Sequence, residues 1–104
     1  GGDFQKDYMF VDDICRAIKF LIKKSDKNQI YNIATGKSMS FKDILLTARN
    51  TICSSSDIYA APFPRDQEYL QVKNMTLNVD KLKSMLFFPK MDFEEGLNEM
   101  CRIY

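Results

Sequence analysis

Apolar residues recur at helical spacing near the start of the chain, and they share one face of an amphipathic helix. This pattern predicts a helix over residues 12–24, in which the apolar residues at helical spacing are Ile14, Ala17, Ile18, Leu21 and Ile22. Asp12 or Asp13 is expected to cap its first turn, and Lys23 and Lys24 oppose the helix dipole at its end. No other segment has so regular a pattern.

Two later segments begin with patterns that resemble a capping box. Ser40 and Asp43 precede apolar positions that share one helical face, namely Ile44, Leu45, Ala48 and Ile52. Asp92 and Glu95 open the last predicted helix, whose inward positions are expected to be Phe93, Leu97, Met100 and Tyr104. A short helix before Pro89 is predicted by Val79, Leu82 and Leu86.

Two short segments have the composition of strands. Residues 29–34 contain β-branched and aromatic side chains and stop at Thr35 and Gly36, and residues 57–61 precede an extended stretch forced by Pro62 and Pro64. About four helices with two or three short strands indicate an α/β (α+β-like) small lobe. So few strands do not make a self-sufficient doubly wound sheet, so we expect one domain, residues 1–104, that packs on something larger.

Composition excludes several classes of function. Fifteen basic and fourteen acidic residues leave a net charge of +1, which gives no broad footprint for nucleic acid or for a membrane surface. The apolar runs are too short for a transmembrane helix and no signal peptide is evident, so a cytoplasmic protein is expected. The absence of histidine excludes imidazole triads and His-ligated metal sites. Three widely spaced cysteines fit neither a disulfide framework nor a zinc site.

Five short motifs follow one another in an order that is typical of one enzyme family. The first runs from Gly1 through Lys6-Asp7-Tyr8 to Val11-Asp12-Asp13, and the others lie at residues 30–36, 40–45, 78–83 and 88–97. Together they resemble the extended short-chain dehydrogenase/reductase family, the NAD-dependent epimerases and dehydratases that modify nucleotide-diphosphate sugars. The resemblance covers essentially the whole chain.

In that family an N-terminal Rossmann half holds NAD or NADP, and a C-terminal half grips the nucleotide and diphosphate of the substrate. The chain is similar to the second half, so the resemblance implies a substrate-binding lobe without the Rossmann domain. The glycines are too few and too scattered for a dinucleotide turn. We therefore expect that this lobe binds no cofactor or metal, is not catalytic by itself, and takes as partners a nucleotide-diphosphate sugar and the missing Rossmann domain.

The resemblance places Lys6 where the family usually has an arginine that contacts the substrate diphosphate. Lysine offers a point charge instead of a planar fork, and the competing interpretation is an ordinary solvated lysine. Arg65 lies near the place of a second basic residue, with a surface arginine as the equal alternative. Lys37 and Ser38 are weaker substrate-binding candidates that rest on loop position alone.

The resemblance assigns Asp7 and Tyr8 to structural support of the site. The family's catalytic Tyr-x-x-x-Lys pattern occurs at Tyr69 and Lys73, but chance produces about one such match in two chains of this composition, so we assign no catalytic residue. Adjacent carboxylates at Asp12 and Asp13 point about 100° apart on a helix, which favours capping over a metal site.

Aromatic residues cluster near the end of the chain at Phe87, Phe88 and Phe93, and they are expected to form core or inter-lobe packing. Where relatives carry Leu-Gly-Trp this chain has Leu86-Phe87-Phe88, so the loss of the glycine that ends the helix predicts a different local turn. An apolar face left exposed without the Rossmann half predicts a homo-oligomer. The alternative function is a stand-alone protein-interaction or regulatory module derived from the lobe.

Overall fold

A computed structural model describes residues 2–62, 64–65 and 72–104 of the chain. Its elements in chain order are β1 (Gln5–Asp7), α1 (Val11–Lys24), β2 (Ser38–Ser40), α2 (Phe41–Thr51), β3 (Asn74–Met75), α3 (Asp80–Ser84) and α4 (Phe93–Ile103). The described residues therefore form a small α/β lobe with the expected numbers of helices and strands.

The three strands form one sheet with the order β2-β1-β3. Strand β1 pairs antiparallel with β2, where Lys6 lies opposite Met39, and parallel with β3, where Lys6 lies opposite Met75. The backbone N–H of Gln5 also donates to the Lys73 carbonyl at 2.8 Å. Lys6 is thus in the middle of the central strand.

The core lies between α1, α3 and the turn that follows α3. Ala17 of α1 packs with Leu82 and Phe87, all of them buried. Partly buried apolar side chains surround this cluster, namely Met9, Phe20, Leu21 and Ile33. Phe87 is therefore a core residue, in agreement with the sequence.

The two capping patterns form as the sequence predicts. The Ser40 hydroxyl accepts the backbone N–H of Asp43 at 3.1 Å and starts α2. At the start of α4, the Asp92 carboxylate accepts the backbone N–H of Glu95 at 2.8 Å, and the Glu95 carboxylate accepts that of Asp92 at 2.9 Å. Each cap satisfies backbone donors that a helix leaves without an internal partner.

The strand predictions were wrong in position. Neither residues 29–34 nor residues 57–61 form a strand. The first segment is held through side chains instead, because Asn32 donates to the Asn78 carbonyl and Lys81 donates to the Ile30 carbonyl. Because no described part of the backbone lies in register beside it, its strand-like composition yields an extended segment without a ladder.

Two further expectations fail at helix ends. Met100 and Tyr104 do not point inward, since Met100 is half exposed and Tyr104 is 98% exposed at the last turn of α4. The N-cap of α1 is Phe10, without any side-chain cap, so neither Asp12 nor Asp13 caps the helix. Both carboxylates lie in the first helical turn, two and three residues after the N-cap position from which a side chain reaches the free N–H groups.

The turn after α3 keeps the shape that a glycine would give it. Leu86 has a φ of 63°, and its N–H donates to the Lys83 carbonyl at 2.8 Å. A left-handed residue directly after a helix is the usual position for glycine. Leu86 therefore adopts the strained conformation here, and the predicted difference from the Leu-Gly-Trp turn of relatives stays a prediction.

Candidate functional site

The candidate site is built around β1 and the residues that follow it. Lys6 is half-buried, and its ammonium donates to the Val72 carbonyl at 3.0 Å. Directly opposed residues of paired strands place their side chains on one face, so Lys6 shares its face with Met39 and Met75. The bond to Val72 uses one of three ammonium donors and has a neutral acceptor. A cation is therefore fixed on this face of the sheet.

Asp7 holds the loop that contains residues 35–37. One carboxylate oxygen accepts the backbone N–H of Thr35 at 3.0 Å together with the Thr35 hydroxyl, and the other accepts the backbone N–H of Gly36 at 2.8 Å. The Thr35 hydroxyl also accepts the backbone N–H of Lys37 at 3.1 Å. This network joins the end of β1 to a loop 28 residues away in sequence.

Gly36 is required at the centre of that loop. Its φ is 76°, and a Cβ added there would approach the Val79 Cγ2 atom to 2.8 Å. The left-handed region favours glycine, and the close contact leaves no space for a side chain. The position of Lys37 next to β1 therefore depends on Gly36 as well as on Asp7.

A cavity of about 380 Å³ brings together several residues that the sequence singled out. Tyr8, Lys37 and Ser38 line it, along with Thr35 and Phe93. The Tyr8 ring meets the Phe93 ring edge-on, with centroids 6.2 Å apart. The cavity thus has two aromatic side chains, the exposed Lys37 and the acidic residues Asp92 and Glu94 in its lining. The role of Thr35 was missed, since a lone threonine before a glycine gives no sequence signal for a carboxylate contact.

Arg65 is not among the residues that line this cavity. It is exposed in a turn after Pro64, just before residues that the structure does not describe. Tyr69 of the Tyr-x-x-x-Lys match lies outside the described residues. Lys73 is exposed and precedes β3, so it is not on a helix.

Asp13 has a structural task that the sequence did not indicate. Its carboxylate is buried, pairs with Arg16, and accepts the backbone N–H groups of Lys90 and Met91, each at 2.9 Å. Burial by itself raises the pKa of Asp13, but the two backbone donors and Arg16 outweigh that effect and hold the pKa below its ordinary value. Asp13 therefore ties α1 to the segment that enters α4.

Two of the described glycines are packed too closely to receive the phosphates of a dinucleotide. Gly36 packs on Val79, and a Cβ at Gly96 would approach the Phe10 ring to 2.9 Å, so neither leaves open backbone beside a phosphate. No group of three potential metal ligands occurs within the described residues. Within the same part of the chain, every helix is too short or too polar to cross a bilayer.

Comparison with known proteins gives a consistent set of relatives, although no family model matches the chain. CDP-abequose synthase of Salmonella typhimurium is 30% identical over 97% of the chain and 35% of its own length. UDP-glucose 4-epimerase of Thermotoga maritima, solved with UDP-glucose, is 28% identical with a TM-score of 0.81 over 98% of the chain and 33% of its own length.

A third match supports the fold alone. dTDP-glucose 4,6-dehydratase of Bacillus anthracis, solved with NAD, superposes with a TM-score of 0.84 at 22% identity over 97% of the chain and 31% of its own length. The chain spans about a third of the length of the curated relatives that it matches. The matched part of the solved relatives is their C-terminal third. The chain belongs to the NAD-dependent epimerase/dehydratase family of extended short-chain dehydrogenases/reductases, and it corresponds to the C-terminal part of those enzymes.

Proposed function

We propose that the chain is the substrate-binding lobe of a sugar-nucleotide epimerase or dehydratase and that it binds the diphosphate of a nucleotide-diphosphate sugar. The observation that carries the proposal is the placement of Lys6. It is the cation of the central strand, and its side chain shares a face with Met39, which also lines the Tyr8 cavity. A phosphate oxygen can replace the neutral Val72 carbonyl as its acceptor, and an acceptor with full charge gives a stronger bond.

The surrounding residues support an anion near Lys6. Asp7 directs both carboxylate oxygens at Thr35 and Gly36, so its charge is taken up by donors of the loop. The same loop presents Lys37 as a second cation in the cavity, whose lining also contains the carboxylates of Asp92 and Glu94. Arg65 is the third candidate, and its contribution stays a prediction because it rests on the resemblance.

The names of the relatives agree on the chemical class of substrate. CDP-abequose synthase and ADP-L-glycero-D-manno-heptose-6-epimerase are named for nucleotide-diphosphate sugars. The base and the sugar differ between these names, and the diphosphate is common to them. The part of the ligand assigned to Lys6 is therefore the part that all of these ligands share.

The lobe is proposed to work together with a cofactor-binding domain that holds NAD or NADP. Hydride transfer needs that cofactor, which the resemblance assigns to the other half of such enzymes. An apolar stripe on α1 supports docking of this kind, since Val11, Ile18 and Ile22 are exposed at helical spacing. Ile30, within the extended segment at residues 29–34, is 85% exposed. The role of the lobe is thus to hold and orient the substrate. The alternative of a stand-alone interaction module stays a prediction without support from the relatives.

An NMR titration of amide signals tests the substrate site. UDP-glucose and CDP-glucose at millimolar concentration are expected to shift signals of β1 and of residues 35–37, while glucose is expected to leave them unchanged. Lys37→Ala is expected to reduce the shifts, and Lys24→Ala, at the far end of α1, serves as the matched control. Unchanged spectra with both sugar nucleotides would overturn the proposal.

A further inference from the structure

A groove between α1 and the turn after α3 forms a second concave surface, with a volume of about 520 Å³. Helix α1 lines one side with basic residues and Phe20, and residues 86–90 line the other. Its floor belongs to the core, because the Phe20 and Phe87 rings lie 5.4 Å apart and Phe87 is buried. We name this surface the α1 groove.

The rim of the α1 groove carries two apolar side chains that the fold does not bury. Leu86 is 82% exposed and Phe88 is 52% exposed. Leu86 also has a φ of 63°, in the left-handed region that favours glycine. The chain therefore keeps a leucine in a conformation that costs free energy of folding, although the side chain adds almost nothing to the core. A strained and exposed leucine of this kind indicates that the side chain serves binding and not the stability of the fold.

Positive charge is concentrated in the same groove. Lys19 and Lys23 line it from α1, Lys90 lines it from the turn, and Arg16 stacks over the Phe87 ring at 5.2 Å from its centroid. Among the described residues that line the groove, none is acidic. The whole chain has a net charge of only +1, so this concentration is local.

Opposition to the helix dipole does not account for this charge pattern. A basic residue in the last turn of a helix stabilises it, and that explains Lys23. Lys19 lies more than one turn before the end of α1, and Lys90 is not on the helix. These two cations gain nothing from the dipole, yet they line the same groove as the exposed Leu86.

We propose that the α1 groove binds an acidic segment of another polypeptide that carries a large apolar side chain. Lys19 and Lys23 are about 6 Å apart along the helix axis, which is close to the spacing of alternate residues in an extended peptide. Two carboxylates at alternate positions therefore reach both lysines. The apolar side chain packs on Leu86 and Phe88, where it removes exposed apolar surface from water.

Other occupants fit the groove less well. Two copies that met through this same face in a symmetric dimer would bring like charges together. Single-stranded nucleic acid stacks on several open aromatic faces, whereas Phe87 is buried, Phe20 is partly buried and, of the described rings in the groove, Phe88 alone is half exposed. An anionic membrane surface would use the cations, but it would not need the strained turn at Leu86.

The test measures binding of a labelled synthetic peptide of alternating glutamates with a leucine and a phenylalanine, by fluorescence anisotropy at low salt. Two matched peptides replace its glutamates with glutamine or its apolar residues with serine. The acidic, apolar peptide is expected to bind at least about tenfold more tightly than either, since charge and apolar contact both contribute. Equal binding of the glutamine peptide would overturn the proposal.

Variants of the chain locate the binding surface. Lys19→Glu with Lys23→Glu is expected to weaken peptide binding about tenfold, whereas the matched pair Lys24→Glu and Lys27→Glu, which makes the same change in net charge outside the groove, is expected to change it less than about twofold. Leu86→Gly relieves the strained turn and is expected to weaken binding about threefold in a chain that still folds. Equal losses of peptide affinity in the two double charge variants would contradict the groove as the binding site. Binding of a single-stranded oligonucleotide or of anionic vesicles, without binding of the peptide, would also overturn the proposal.

Discussion

The carboxylate of Asp13, in the first turn of α1, accepts the backbone N–H of Met91 at 2.9 Å across 78 positions of sequence. The adjacent N–H of Lys90 donates to the same oxygen. One buried side chain thus fixes the segment that enters α4 against the helix that carries the core residue Ala17. These two hydrogen bonds also fix Lys90, which lies in the turn that lines the α1 groove.

Replacement of this carboxylate is expected to destabilise the lobe. Asp13→Asn keeps one acceptor oxygen but removes the negative charge. Its NH2 group would also face the donors of Arg16, Lys90 and Met91, which need an acceptor. We expect a loss of about 2 kcal/mol in the free energy of unfolding, measured by urea denaturation. Asp12→Asn, an exposed neighbour in the same helical turn, is the control and is expected to change stability by less than about 0.5 kcal/mol.

The contribution of Asp13 is also expected to depend on pH. Its pKa is lowered in the folded chain from the ordinary value of 3.8, so the native state stays deprotonated where the unfolded chain already binds a proton. The stabilisation by the Asp13 carboxylate is therefore fully present above pH 3.8, and it is lost as the pH falls through the lower pKa that Asp13 has in the folded chain. The difference in unfolding free energy between the wild type and Asp13→Asn is expected to shrink as the pH falls below that value. A difference that grows toward acid pH would contradict the assigned direction.

Leu86→Gly is expected to stabilise the chain by about 1 kcal/mol, because glycine adopts a positive φ without steric cost and the leucine side chain is mostly in water. Urea denaturation measures the change. Leu86→Ala is the matched control, since alanine keeps the conformational cost, and little change is expected there. Equal effects of the two substitutions would show that the turn is not strained.

The apolar stripe on α1 is expected to drive self-association of the isolated lobe. Sedimentation velocity should detect oligomers at high concentration, because exposed apolar faces are removed from water when two copies associate. Ile18→Ser with Ile22→Ser is expected to shift the chain toward the monomer. Ile52→Ser, which removes an exposed isoleucine at the end of α2, should leave the association unchanged. A chain that remains monomeric at all concentrations would refute this prediction.

The helices were predictable because their signals are local. Ser40 and Asp92 cap α2 and α4 with side chains whose partners lie three residues away. The order of motifs likewise predicted the family, which the relatives support. These signals need no knowledge of tertiary structure.

The strands were not predictable for a physical reason. Strand β1 contains only polar residues and β2 is a serine-methionine-serine triplet, so both depend on the register of their neighbours and not on composition. Residues 29–34 show the reverse: their composition is typical of a strand, but no described strand lies beside them. The hydrogen bonds to Asp13 were not predicted because their donors are the backbone N–H groups of Lys90 and Met91, far away in the sequence.

The most direct test of the substrate-binding lobe compares two ligands and two chains by isothermal titration calorimetry. Lys6→Ala is expected to weaken binding of UDP-glucose by about tenfold and to leave binding of uridine unchanged, because Lys6 is assigned to the diphosphate alone. Lys24→Ala should match the wild type with both ligands. If Lys6→Ala binds UDP-glucose as tightly as the wild type does, the assignment of Lys6 to the diphosphate is wrong.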